Sequence, residues 1–153
     1  MMETIKQPTN RTCQHAVLAM VTDETVEYVI DWFNSDAPLC ADDVIIFLAH
    51  HGIYVSIFAG FSEPKKDDYF ELRKNNSIDF SVPLENRPAL LTVWSERFEN
   101  ELHAVFWDGK KVHDPNPKVL EPRSISTYKI VEYWPLIMTE PHFERITQLK
   151  MEG

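Results

Sequence analysis

The hydrophobic repeat of this chain changes period at Ile53, and that change constrains its fold more than any other feature. Before it, apolar residues recur at helical spacing. Cys13, Ala16, Val17 and Met20 fall at i, i+3, i+4 and i+7, on one helical face. Asn10 or Thr12 offers a cap oxygen to this first helix. A second helix, capped by Thr22 or Asp23 with Glu24 and Glu27 near its positive end, is expected to bury Val26, Val29, Ile30 and Phe33. Asn34-Ser35-Asp36 and Pro38 stop it. A third runs from about Ala41 to His51, with Asp42 and Asp43 in its first turn and Gly52 at the left-handed C-terminal position. From Ile53 onward the period is two. Ile53–Ala59, Ala89–Trp94, Leu102–Trp107, Lys111–Asp114 and Tyr128–Tyr133 read as strands. Helices first and strands afterwards predict an α+β fold, a helical N-terminal lobe packed on an antiparallel sheet. The polar stretch Gly60–Asn86 reads as a solvated insertion and as the expected specificity element. A short helix is expected from about Thr139 or Glu140, with Pro141 at its first position and Phe143, Ile146 and Leu149 on one side.

Length and charge narrow the function classes. Residues 1–153 suit one domain, long enough for a core without disulfides. With 15 basic and 24 acidic residues the net charge is −9, which argues against nucleic acid or an anionic membrane surface as partner. The glycine-rich strings that cradle phosphates are absent, and no apolar run approaches the roughly 20 residues of a membrane span. Met1 to Lys6 lacks the pattern of a secretory signal, so the sequon Asn10-Arg11-Thr12 is not expected to carry a glycan. Cys13 and Cys40 form neither a disulfide framework nor a C-x-x-C pair. These features predict a cytoplasmic chain with no cofactor and no metal, and leave its oligomeric state open.

The segment around Asp108-Gly109 carries the chemistry. That dipeptide is a strong two-residue hairpin signal. Such a loop sets Trp107 opposite Lys110 and His103 opposite Asp114, where directly facing Cβ atoms lie about 4.5–5.5 Å apart, close enough for a carboxylate to accept from the imidazole. A carboxylate-oriented histidine is the second half of a nucleophile–base–orienter triad. Cys13, at a helix start, is the candidate first half, because backbone N–H groups and the dipole's positive end lower a thiol's pKa. The backbone N–H of Cys13 and the side-chain amide of Gln7 are candidate donors to an oxyanion.

Gln7-Pro8-Thr9-Asn10-Arg11-Thr12-Cys13 opening a helix, then His103-Ala104-Val105-Phe106-Trp107, then Val112-His113-Asp114-Pro115, resembles the papain-like cysteine peptidases. The pattern looks closest to their bacteriocin-leader-processing (double-glycine) branch, where a glutamine precedes the cysteine by six positions and an H-x-V strand is followed by one ending in Asp-Pro. Ala41–Gly52 and Arg87–Trp94 are similar to the family's third helix and first core strand. The resemblance implies a papain-like fold, with Cys13 as nucleophile, His103 as general base, Asp114 as orienter and Gln7 as oxyanion donor, acting on a peptide or protein substrate. One position departs. The family usually has glycine after the cysteine, whereas this chain has Gln14, which would crowd the oxyanion hole or line a different groove.

The expected function is thiol-dependent cleavage of a peptide or amide bond through an acyl-enzyme. Acyl transfer of the transglutaminase kind uses the same layout. The alternative from another class is a catalytically inactive papain-like module that binds a protein partner as adaptor or inhibitor, in a bacterial or phage setting. Other polar residues have plainer readings. His50 and His51 suit the negative end of a helix dipole. Cys13, His15, His103 and His113 do not share a face as metal ligands would. Cys40 is expected in a capping or buried role, Trp94, Trp107 and Trp134 in the core, and Lys110-Lys111 at a solvated hairpin tip.

Overall fold

A computed structural model describes residues 3–55, 59–60, 86–99 and 101–138. Within them three helices come first, α1 (Cys13–Thr22), α2 (Val26–Phe33) and α3 (Ala41–His50). Strands follow: β1 (Ile53–Val55), β2 (Ala59–Gly60), β3 (Ala89–Trp94), β4 (Leu102–Trp107), β5 (Val112–His113) and β6 (Ile130–Met138). A 3-10 turn at Ile125–Thr127 precedes β6. All strand pairs are antiparallel, in the order β1-β6-β3-β4-β5, with β2 also on β6. The fold is α+β. The expected C-terminal helix, with Phe143, Ile146 and Leu149, lies outside the described residues, as do positions 61–85 of the polar stretch.

The first helix is more deeply placed than its expected single apolar face. Every residue from His15 to Thr22 is buried, because α2, α3 and β4 close around α1. The run Ala16–Val21 is apolar on all sides, the mark of a central helix. His15 enters this interior by hydrogen-bonding its Nε2 to the Ser35 carbonyl at 3.0 Å. Thr12 occupies the N-cap position, but its hydroxyl donates to the Thr9 carbonyl and caps nothing.

The second helix starts later than expected. Its cap is Thr25, whose hydroxyl accepts from the Tyr28 N–H at 3.0 Å. Thr22 still belongs to α1, donating to the Leu18 carbonyl at 2.7 Å, and Asp23 is the left-handed residue that ends that helix. Val26 and Val29 are buried as expected, with Ile30 and Phe33 half-buried beside them. The third helix follows its reading, with Asp42 and Asp43 in the first turn and Gly52 at φ 75°.

Alternation along the strands makes two cores. One face of the sheet presents Leu90, Ala104, Phe106 and Trp134 to the helices. The other gathers Leu91, Val93, Val105, Trp107, Tyr128 and Ile130. Phe106 is wholly buried beneath the helices, so truncation to alanine would cost about 3–5 kcal/mol. The strand expected over Lys111–Asp114 is shortened to β5, Val112–His113, and two other strand readings are corrected. The first strand is found as β1 and β2, both along β6, with 56–58 outside the described residues. The last begins at Ile130 rather than Tyr128 and runs through Pro135 to Met138. Proline lacks a ladder donor and so reads as a strand end, yet here Pro135 lies opposite Ala89 while the next N–H, of Leu136, reaches the Pro88 carbonyl at 2.9 Å. Among the described residues no helix is long and apolar enough to cross a membrane.

Candidate active site

The β4–β5 hairpin differs in register from the expected one. Phe106 faces His113 and Trp107 faces Val112, so the loop holds four residues, Asp108 to Lys111. The Asp108 side chain is the cause. Its Oδ1 accepts from the N–H groups of Lys110 and Lys111 at 2.7 and 2.8 Å, building a wider turn than a two-residue loop. Only Gly109 there has positive φ, at 100°, whereas the two-residue turn needs it at both central positions. Asp114 therefore lies beyond the end of β5 and diagonal to His103 instead of directly opposite.

The contact forms nonetheless. His103 Nε2 is 2.7 Å from Asp114 Oδ1. The register moved by two residues, and since strand faces alternate with period two, both side chains keep the same face. Diagonal neighbours are about 7–8 Å apart at Cα, within reach of a long imidazole. With Nε2 held by Asp114, Nδ1 is the ring nitrogen left for Cys13, whose thiol hydrogen-bonds His103. The shortness of β5 opens this position. It covers β4 only at Phe106 and Trp107, so the outer edge of β4 near His103 has no strand beside it among the described residues. There the N–H of Ala104, together with that of Gln14, points to the Cys13 sulfur.

Charge follows from this packing. Burial alone would push the Cys13 thiol up, but the hydrogen bond and charge of His103 and the two backbone N–H groups hold it below the ordinary thiol value. Burial would pull His103 down, yet the bonds to Asp114 and Cys13 and their charges raise it to about 9. Burial also opposes ionisation of Asp114, and the partners that reverse this are His103 first, then the N–H of Asn116 and the hydroxyl of Tyr128. Asp114 Oδ1 accepts from Asn116 N at 2.9 Å and Oδ2 from Tyr128 Oη at 2.8 Å. All three shifts act in the same sense, favouring thiolate, imidazolium and carboxylate in sequence.

The N-terminal arm ties this row to α1. Gln7 N–H donates to the Pro115 carbonyl at 2.8 Å, and Lys6 Nζ reaches the carbonyls of Asp114 and Val119. Gln7 borders the same cavity as Cys13, His103 and Asp114. Its Nε2 donates to the Thr9 carbonyl at 2.9 Å, which occupies one of its two amide hydrogens. Gln14 does not crowd the sulfur. Its side chain turns to the segment before α3, accepting from Leu39 N at 2.7 Å and donating to Leu39 O at 3.1 Å. Tyr128 and Lys6 reach Asp114 from distant parts of the chain through contacts that no local pattern encodes, whereas the Asn116 N–H closes a local turn on the Asp114 side chain two residues earlier.

Cys13 and His103 stand between two cavities, each bordering both. One, of about 30 Å³, adjoins Gln7, Asp114 and Tyr128. The other, of about 670 Å³, opens over the sheet between Val17, Leu39, Leu90 and Trp134. Trp107 is core as expected, Trp134 is half-buried against the helix-side core while also lining the larger cavity, and Trp94, half-buried on the smaller cavity, departs from its reading as core. Cys40 is exposed at the N-cap position of α3, making no cap bond and donating its thiol to Asp43 Oδ2 at 3.1 Å. His51 takes a local partner, with Nδ1 on the Phe47 carbonyl at 2.8 Å. Among the described residues no group of three or more His, Cys, Asp or Glu is placed to hold a metal ion. The chain matches no family model and no curated protein.

Proposed function

We propose that this chain is a papain-like cysteine hydrolase acting on a peptide or amide bond of a peptide or protein substrate. The Cys13 thiolate attacks the carbonyl carbon and the C=O pair moves onto oxygen, where the N–H of Cys13 and the remaining amide hydrogen of Gln7 are the donors. Collapse expels the amine, which takes the proton from the His103 imidazolium and leaves a thioester on Cys13. Neutral His103 then removes a proton from water as it attacks the thioester, releasing the acid and restoring the ion pair. Asp114 stays ionised and fixes the ring. A reducing cytoplasm would keep the thiol available.

The observation that carries this reading is the single row of Cys13, His103 and Asp114, drawn from three separate parts of the chain and opening on two cavities. The test uses Cys40 as an internal reference. Iodoacetamide at pH 6 should alkylate Cys13 faster than Cys40 by on the order of tenfold or more, as peptide mass mapping reads it. Equal rates would sink the thiolate. A second reading, a partner-binding module without turnover, is favoured by the Gln7 amide's engagement with Thr9. Fast labelling of Cys13 without release of amine from a peptide library would decide for it.

A further inference from the structure

The larger cavity has a floor and a wall of different character. Its floor is the helix-facing side of the sheet, where Leu90 and Trp134 on β3 and β6 lie side by side and, one row along, Ala104, Thr92 and Glu132 do the same. Its wall is α1, the turn into α3 and the first turn of α3, through Val17, Leu39 and Val44 respectively. Glu132 is the half-buried acid of this otherwise mostly apolar surface, and among the described residues no basic side chain lies within ion-pair distance of it. Burial raises its carboxyl above the ordinary value, with the nearby Trp134 indole offsetting part of the rise. Glu101, exposed, borders the groove as well. Arg11 does so from the turn before α1, but it is exposed, and water screens its charge.

Position sets what this acid can meet. Ala104, whose N–H reaches the Cys13 sulfur, lies on β4, and Glu132 lies two strands away in the same row. Two strand spacings are about 10 Å, roughly one long side chain away from a carbonyl held at the thiol. An aliphatic stem along Leu90 and Trp134 would lose its water to apolar surface. A cation at its end would meet a carboxylate that burial leaves weakly solvated.

Resting on the hydrolase reading above, we propose that this groove selects a substrate residue with a long aliphatic side chain ending in a cation, lysine or arginine, whose charge is received by Glu132. The acidic balance of the chain, −9 overall, favours approach of such a peptide.

The test is a set of peptide chloromethyl ketones, identical except for lysine, norleucine or glutamate at each of the two residues before the reactive carbon. Alkylation of Cys13 is followed by intact mass. In the wild-type protein the lysine probe should react faster than norleucine by on the order of tenfold at one of the two positions, and glutamate should be slowest. In Glu132→Gln the ratio of lysine to norleucine should fall toward one. A norleucine probe that equals or outpaces lysine at both positions overturns the assignment in the wild-type protein alone, whether or not the variant folds. Iodoacetamide separates the two levels of failure, since it carries no side chain for the groove. Loss of selective iodoacetamide reaction at Cys13 removes the thiolate reading, whereas normal iodoacetamide reaction without the charge order removes the groove assignment only.

Discussion

Among the described residues two histidine–aspartate pairs sit within one hairpin and its outflow, and they are nearly identical in geometry. His103 Nε2 meets Asp114 Oδ1 at 2.7 Å, and His113 Nε2 meets Asp108 Oδ2 at 2.8 Å. Each imidazole turns its other nitrogen to a third side chain, His103 to the Cys13 thiol and His113 to the Thr4 hydroxyl at 2.8 Å. The surroundings differ. Cys13 and His103 border two cavities, while Thr4 and His113 border neither. A thiol ionises within reach of a neighbouring imidazole, and a threonine hydroxyl does not. The second pair latches the N-terminal arm to the hairpin and closes its turn, because Asp108 also accepts from Lys110 and Lys111. An oriented histidine is therefore common structural currency. It becomes a reactive site when its outer partner can carry charge and substrate can reach that partner.

The sharpest way to break the comparison is to remove the two outer partners in turn. Cys13→Ala should abolish hydrolysis, a loss of about 10⁴-fold or more, with little change in melting temperature. Thr4→Ala should leave turnover per folded molecule unaltered. If Thr4→Ala costs as much activity as Cys13→Ala, the assignment of the two pairs is reversed.

Exchanging the carboxylates for amides should give opposite signatures. Asp114→Asn should lower kcat by about 10²- to 10⁴-fold, because an amide neither selects the histidine tautomer nor offsets its charge. Asp108→Asn should instead cost about 1–3 kcal/mol of stability, read by thermal or urea unfolding, since buried His113 loses its charged acceptor while the turn keeps an oxygen. Two variants that lose the same property would show that the pairs do one job.

The pairs also separate along the pH axis. Folding raises His103 from 6.5 to about 9, so its contribution to stability is full below 6.5 and is lost as pH rises through about 9. Folding depresses Asp108 below 3.8, held there against burial by His113 and the turn N–H groups, so its contribution is present above 3.8 and is lost as pH falls through the folded value. Asp114, also depressed, shares that acid limb. Turnover should trace a bell whose alkaline limb falls near 9 with the imidazolium and whose acid limb lies below the ordinary thiol range. Asp114→Asn should draw the alkaline limb downward. A rate that climbs steadily to pH 10 would contradict the ion pair.

Much of this was legible before any coordinates, and the misses have physical causes. Helix order, α3 with its Gly52 stop and the half-buried strands followed from spacing alone. The continuous apolar run Ala16–Val21 already carried the signal that α1 is central, but a reading centred on one face passed over it. The hairpin register was missed because Asp-Gly suits two loop lengths, and the choice lay in which N–H groups the Asp108 carboxylate would accept. The His103–Asp114 contact survived because the error was even, and a slip of one residue would have turned one of them to the opposite face. Tyr128 had no such protection. It read as the start of a strand, whereas it follows the 3-10 turn and points its hydroxyl at a carboxylate 14 residues earlier.

Tyr128 sets the smallest effect and the finest test of how Asp114 is held. Burial and the neighbouring carboxylate raise its phenol, so it stays a donor throughout the working range. Tyr128→Phe removes that donor while the ring keeps its place in the core beneath β3 and its stacking under Arg123, 5.8 Å from the ring centre. Asp114 retains His103 and the Asn116 N–H. One lost hydrogen bond of about 0.5–1.5 kcal/mol should lower kcat a few-fold and leave KM nearly constant. It should also move the alkaline limb upward by a fraction of a unit, because a carboxylate that shares its charge with one donor fewer holds the imidazolium more strongly. A purely structural tyrosine would lower the melting temperature and leave that limb where it was.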